Sequence, residues 1–177
     1  MYLEHIIYSI AFALLAGLVA LKHNRKDYSW IIILFTYAPD MDVGIRIGAN
    51  VSQIFLGIAF PISGALHYLL HTLGALVIFA VIAGLILYAF GIPLLAGFLF
   101  SGTAYGIHLF GDFLAYRPGY SFLWPFSSEP LGIGIFGDQY PLNFFRIANS
   151  TALLVGLLFL MNMIILHHYM THRIPTD

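Results

Sequence analysis

The chain has 177 residues, of which 60% are hydrophobic and only 8% are charged, whereas a typical soluble domain has about 25% charged residues. Seven Lys and Arg stand against eight Asp and Glu, and the mean hydropathy is +0.90. These values exclude a water-soluble globule, a disordered chain and a basic surface for nucleic acid. They predict an all-α, polytopic membrane protein, a helical bundle of about five transmembrane helices in a single domain.

Prolines, glycines and charged turns divide the apolar sequence into predicted spans. These cover about residues 3–21, 28–39, 67–90, 93–111 and 147–170. A polar stretch over 40–53 follows the second span, and then a short apolar run over 54–60. That run is too short to cross a bilayer and is predicted to be a re-entrant or interfacial segment. A loop rich in Gly, Pro and aromatic residues over 112–146 separates the last two spans.

The basic residues predict how the bundle is oriented. The face with the 22–27 turn and the C-terminal tail, here called the basic face, holds four of the seven: Lys22, Arg25, Lys26 and Arg173. The opposite face, here called the site face, holds the N-terminus, residues 40–66 and the long loop. By the positive-inside rule the basic face is cytoplasmic. The site face is therefore predicted to be extracytoplasmic, on the cell (inner) membrane.

Ionisable residues in apolar spans are costly to bury and are candidates for function. A helix rises 1.5 Å per residue, so position along a span gives height above the basic face. Residues from four predicted helices reach a common depth near the site face, roughly 20–29 Å up: His5, Asp40, Asp42, His71, His108 and Asp112. Because the second span is too short to cross about 30 Å of hydrocarbon, its two aspartates are predicted to lie in a recessed, water-filled vestibule.

The spacing of these residues indicates a metal site. His67 and His71 are four residues apart, as are His108 and Asp112, so each pair shares a helix face. Imidazoles combined with carboxylates suit zinc, manganese or iron, and we expect zinc, with one or two ions bound. The predicted ligands are His5, Asp40, Asp42, His67, His71, His108 and Asp112. The other histidines, near the basic face, are expected to be interfacial anchors: His23, His167, His168 and His172.

These motifs resemble those of the membrane-bound metal-dependent hydrolase family, which includes the LexA-regulated inner-membrane hydrolases. The similar elements are an early histidine, a Pro-Asp-x-Asp, a paired histidine motif, a His-x-x-x-Asp and a Trp-Pro element. They correspond here to His5, Pro39–Asp42, His67–Thr72, His108 with Asp112, and Leu123–Phe126. In that family Arg usually follows the first histidine of the pair, at five-residue spacing, whereas here Tyr68 follows and the spacing is four. The resemblance implies a reaction class and names no substrate.

The predicted function is hydrolysis at the membrane surface. A metal held by His and Asp lowers the pKa of bound water toward neutrality, and Asp42 is the expected general base. Since the site lies at headgroup depth, a lipid or a lipid-linked phosphate or ester is the expected substrate. Arg117 and Arg146 either pair with phosphate or anchor to headgroups. The aromatic residues Tyr116, Tyr120, Trp124 and Tyr140 are expected to form an interfacial belt with no chemistry.

Two other functions stay open from the sequence. A divalent metal-ion transporter also uses His-x-x-x-Asp motifs within spans, although transport sites usually lie near the bilayer midplane. A b-type haem protein would use His71 and His108 as axial ligands. Nucleic acid is not an expected partner, and the sequence does not indicate an oligomeric state.

Overall fold

The computed structural model describes residues 2–23, 25–57, 65–117, 119–134 and 150–173. Within these ranges the chain is helical, apart from turns and an isolated bridge between Tyr120 and Leu131. The helices are α1 Tyr2–Lys22, α2 Trp30–Leu34, α3 Met41–Leu56, α4 Ala65–Leu70, α5 Leu73–Ala89, α6 Leu94–Ala115 and α7 Ser150–Arg173.

Among the described residues, three helices are long and apolar enough to cross a membrane. The qualifying stretches are Glu4–Lys22 in α1, Leu94–Ala115 in α6 and Leu153–Met170 in α7. Helix α5 is a shorter apolar helix of 17 residues, about 25 Å long at 1.5 Å per residue. The prediction of an all-α membrane bundle is confirmed.

The second predicted span, over 28–39, is helical only in the five residues of α2. The Thr36 hydroxyl donates to the carbonyl oxygen of Ile32 at 2.9 Å, and Pro39 has no N–H to continue a helix. Residues 35–40 therefore form successive turns. Ile31 and Ile32 are fully buried, because α2 packs between α1 and α6. The other three residues of α2, Trp30, Ile33 and Leu34, are exposed.

A helix, α3, occupies the stretch predicted only as polar. It ends at Gly57, whose φ of 65° is in the left-handed region that glycine adopts without strain. The predicted re-entrant run over 54–60 begins inside this helix, and Ile54 and Phe55 are exposed in its last turn. Residues 58–60 lie outside the described part of the chain.

The third predicted span, over 67–90, is broken between α4 and α5. Thr72 is the N-cap of α5, and its hydroxyl oxygen accepts from the Ala75 N–H at 3.1 Å. The same hydroxyl donates to the Leu69 carbonyl oxygen at 2.8 Å. An N-cap residue satisfies the free N–H groups of a new helix, so Thr72 stabilises this break. His71 consequently lies at the break between α4 and α5, and not within a continuous helix.

Helices α5 and α6 pack closely through small residues. A Cβ added to Gly97 would lie 3.2 Å from the Gly84 Cα atom, so the two backbones are in contact. Helix α6 continues to Ala115, beyond the predicted end at 111. Asp112 is therefore in its last turns. The N-terminus of α5 and the C-terminal end of α6 lie at the site face.

The segment 119–134 folds over the site end of α5. The Leu73 N–H donates to the Phe122 carbonyl oxygen at 2.7 Å, and the Gly74 N–H to the Trp124 carbonyl oxygen at 3.1 Å. Tyr120 is buried in this segment. Part of the loop predicted over 112–146 therefore covers this end of the bundle, and residues 119–134 are called the cover segment below. Helix α7 packs along α1.

Candidate metal centre

Four side chains from three parts of the fold meet at the site face. His71 Nε2 lies 3.2 Å from Asp112 Oδ2 and 3.4 Å from Asp40 Oδ1. His108 Nε2 lies 3.6 Å from Asp40 Oδ2 and 3.7 Å from Asp112 Oδ2. The turn before α3, the α4–α5 break and the C-terminal half of α6 supply these residues. We call them the central four.

The main chain fixes the proton of each central imidazole. His71 Nδ1 donates to the His67 carbonyl oxygen at 2.8 Å, and His108 Nδ1 donates to the Thr36 carbonyl oxygen at 2.9 Å. In a neutral ring the other nitrogen, Nε2, then carries a lone pair. Both Nε2 atoms are buried and have no hydrogen-bond partner among the described residues. A lone pair beside a carboxylate oxygen is unfavourable, so either a proton on Nε2 or a metal cation must lie between the two atoms.

His5, from the first turns of α1, extends the centre on one side. Its Nε2 donates to Asp112 Oδ1 at 3.1 Å, and its ring stacks on His108 with centroids 3.9 Å apart. The ring lies against Gly111, where an added Cβ would be 2.8 Å from His5 Cε1. Glycine at 111 therefore leaves the space that this imidazole occupies.

His67 extends the centre on the other side and connects it to α3. His67 Nδ1 donates to Asp42 Oδ1 at 3.0 Å, and its Nε2 accepts from the Tyr120 hydroxyl at 3.1 Å. The second Asp42 oxygen accepts from Arg46 Nη2 at 2.6 Å. Tyr120 also stacks on His71, with ring centroids 4.3 Å apart. Asp42 is completely buried, and Arg46 balances its charge.

The centre carries negative charge in a shielded place. His5, His71, His108 and Asp112 are buried, while the Asp40 side chain is 12% exposed. Burial raises the pKa of the Asp40 carboxyl, but the nearby imidazoles of His71 and His108 lower it by more, so the pKa lies below its usual value. With neutral imidazoles, Asp40 and Asp112 together carry two negative charges. That equals the charge of one divalent cation.

These residues could hold a metal ion. Two groups of three each offer ligand atoms within 4.8 Å of one another, His5 with His108 and Asp112, and Asp40 with His67 and His71. The central four join the two groups. In a tetrahedral site with bonds of about 2.1 Å, ligand atoms lie about 3.4 Å apart. The four N···O separations of 3.2–3.7 Å match that spacing.

Comparison with known families gives a match along almost the whole chain. The model of a family described as YdjM inner membrane protein covers residues 1–174. The chain belongs to the YdjM inner membrane protein family. No curated protein and no solved structure matches it.

Membership of the YdjM family identifies an inner membrane protein, as the composition predicts. The family description names neither a metal nor a reaction. Of the residues predicted as ligands, six lie in the two groups above. Asp42 does not, because both of its oxygens are bonded to His67 and Arg46.

Three contributions to the centre were not predicted from the sequence of this YdjM-family chain. Tyr120, expected to be a belt residue, bonds to His67. Arg46 pairs with Asp42, and their i,i+4 spacing would have indicated it had α3 been predicted as a helix. The Thr36 carbonyl oxygen orients His108, and no sequence pattern marks that contact. Arg117 is exposed in the segment after α6, and Arg146 lies outside the described residues.

Proposed function

We propose that this protein is a membrane-embedded, metal-dependent hydrolase that acts on a lipid or a lipid-linked phosphate or ester. One observation carries the proposal. Two buried imidazole nitrogens, to which the described part of the chain offers no hydrogen-bond partner, are directed at the oxygens of Asp40 and Asp112. This is the arrangement of a ligand set whose outer hydrogen bonds are already made.

Zinc is the proposed metal, with manganese or iron as alternatives and room for one or two ions. Two histidines and two aspartates are N and O ligands of the kind that zinc accepts in tetrahedral geometry. A divalent cation held there supplies Lewis acidity and lowers the pKa of water. His5 holds Asp112 in place through its Nε2 donor.

The residues around His67 are suited to moving a proton. Its side chain is 23% exposed, and it neighbours Asp40 at the accessible edge of the centre. We assign the general-base role to His67, since the buried Asp42 has both oxygens engaged and orients the His67 ring. When Tyr120 releases His67 Nε2, this atom can accept the proton of the attacking water. The water oxygen bonds to phosphorus or the acyl carbon as the ester bond breaks, and the leaving oxygen takes up the proton from His67.

The geometry gives less support to the two alternative functions, a divalent metal-ion transporter and a b-type haem protein. The centre gathers at the ends of α1 and α6, whereas transport sites usually lie near the midplane. A haem between His71 and His108 would have to displace the oxygens of Asp40 and Asp112, which both histidines contact.

The test uses purified full-length protein. We expect bound divalent metal, and metal-dependent hydrolysis of at least one substrate in a panel of phospholipids, lipid-linked phosphates and esters. Chelation should remove the activity and zinc should restore it. Replacing the exposed His168 of α7 with Ala should change neither the bound metal nor the hydrolysis. A Soret band, or metal flux into proteoliposomes with no hydrolysis, would contradict the proposal.

We further propose that the centre faces the extracytoplasmic side, on the evidence of the basic residues at the opposite face. The chain contains no cysteine, so single-cysteine variants are free of background labelling. In intact cells an impermeant maleimide should label Ser128→Cys, in the cover segment, and leave Lys26→Cys unlabelled. Both positions are exposed. Labelling of Lys26→Cys alone would mean that the orientation is the reverse. Labelling of both variants from one side would contradict the proposed topology.

A further inference from the structure

An apolar cavity of about 450 Å³ lies beside the candidate metal centre. This volume is within the usual range for small-molecule sites, which are mostly apolar and have a few polar groups at one end. The lining residues that matter here are Met41, Leu70, Ala75, Ile82, Tyr105 and Trp124.

Two residues that line the cavity are sequence neighbours of ligands in the metal centre. Met41 directly follows Asp40, and Leu70 directly precedes His71, so each pair of Cα atoms is about 3.8 Å apart. The Tyr105 hydroxyl donates to the Leu70 carbonyl oxygen. Its polar atom is thereby satisfied, and the ring is left to form an apolar wall. One end of the cavity therefore adjoins the ligands Asp40 and His71.

The other end of the cavity opens along α5 toward the membrane. Ile78 and Ile82, one helical turn apart, are 60% and 52% exposed and line the cavity. Trp124 covers the end of α5 near the centre, where a Cβ on Gly74 would lie 3.2 Å from its ring. The cavity is thus covered beside the centre and open at the side, as a lipid chain entering from the bilayer requires.

A positive group lies on the polar side of the centre. Arg46 Nη2 is bonded to Asp42, while Arg46 Nε is shielded and has no hydrogen-bond partner within the ranges that the structure describes. Asp42 bonds in turn to His67, which belongs to the same ligand group as Asp40. A guanidinium with an unused N–H suits a phosphate or carboxylate oxygen.

We infer that the cavity binds the acyl chain of an amphiphile whose anionic headgroup lies between Asp40 and Arg46. This inference rests on the proposed function and names its substrate class: an anionic lipid that enters sideways from the membrane. The chain occupies the groove along α5, and the headgroup meets the metal centre.

Binding can be measured by fluorescence, because the chain has only two tryptophans. In full-length Trp30→Phe protein, Trp124 is the remaining fluorophore. The probe is a single-chain anionic phospholipid brominated on its acyl chain. We expect saturable quenching of Trp124 in the metal-loaded protein, recorded before measurable turnover. Quenching that rises in proportion to the probe without saturating would overturn the inference.

Adjacent residues on α5 provide a matched pair of variants. Ile82 lines this cavity, whereas Val81 lines a separate one with Leu94 and Phe98. Ile82→Phe should weaken binding of the long-chain probe by about tenfold, and Val81→Phe should leave it unchanged. Ala75→Leu, near the centre, should weaken it as well. Equal effects of Ile82→Phe and Val81→Phe would refute the cavity as the binding site.

Headgroup recognition and the proposed function have separate readouts. Arg46→Gln should weaken binding of the anionic probe and leave a brominated monoacylglycerol unaffected; equal weakening of both would refute the headgroup assignment. Metal content of each variant reports whether the centre is intact. Saturable quenching without hydrolysis of any substrate would remove the proposed function and retain the cavity. Metal-dependent hydrolysis without saturable quenching would retain the proposed function and remove the cavity as the binding site.

Discussion

Replacing Asp112 with Asn is expected to weaken metal binding at the centre strongly. The Asp112 carboxylate contacts three imidazoles, those of His5, His71 and His108. Asparagine keeps the shape of the side chain but removes one of the two negative charges that balance a divalent cation. We expect metal affinity to fall by at least about 100-fold, the upper end of what the loss of a supporting residue costs. Competition with a chromophoric chelator measures it.

The same variant should lose stabilisation by metal. A ligand present at about 1,000 times its Kd stabilises a folded protein by about 4.1 kcal/mol. Zinc should therefore raise the melting temperature of the wild-type protein much more than that of Asp112→Asn, because a 100-fold weaker Kd leaves at most about 1.4 kcal/mol of stabilisation at the same zinc concentration. Glu129→Gln, at an exposed carboxylate of the cover segment, is the matched control and should behave as wild type. Undiminished metal content in both Asp112→Asn and His108→Ala would show that the centre is structural.

Adding one methyl group at Gly111 is expected to impair the centre by moving His5. A Cβ there would lie 2.8 Å from His5 Cε1 and 3.0 Å from His5 Nδ1. The end of the imidazole moves more easily than either helix, so His5 should give up its bond to Asp112. We expect Gly111→Ala to lower metal affinity by about 10–100-fold, the usual cost of losing a group that orients a ligand.

A control and a double-mutant cycle make this expectation specific. Gly106 is on the same helix, and its added Cβ would be 3.6 Å from Leu76 Cδ1, an ordinary contact. Gly106→Ala should retain metal affinity and gain up to about 1 kcal/mol of helix stability. In a His5→Ala background, Gly111→Ala should have no further effect on metal affinity. An additive loss would mean that Gly111 acts through something other than His5.

The depth of the centre was predictable from the sequence, because helix rise converts residue number into height. His5, His108 and Asp112 lie on regular helices, and the structure does bring them together. The calculation also holds for Asp40 and His71, although each lies in a turn and not in a continuous span. Pro39 causes the first turn and the cap at Thr72 causes the second. Neither turn changes the height of Asp40 or His71 above the basic face by much.

The lateral arrangement of the centre could not be predicted in the same way. Which residue meets which depends on how helices rotate about their axes, and α5 is apolar on every side, so its sequence pattern gives no direction. The bond from Tyr120 to His67 joins residues 53 apart, across a segment that folds back on the bundle. Helix α3 was missed since a hydropathy pattern detects apolar spans, and α3 mixes Asp42, Arg46 and exposed apolar residues.

The distance along the chain between His5 and Asp112 has a consequence for biosynthesis. They are 107 residues apart, so a ribosome makes α1 long before it makes the carboxylate that His5 bonds to. An imidazole stranded in hydrocarbon during that interval would be costly. His5 avoids that cost because it sits at the very end of α1, within reach of interfacial water, until α6 arrives. The position of His5 near the end of α1 thus also allows α1 and α6 to be inserted into the membrane one at a time.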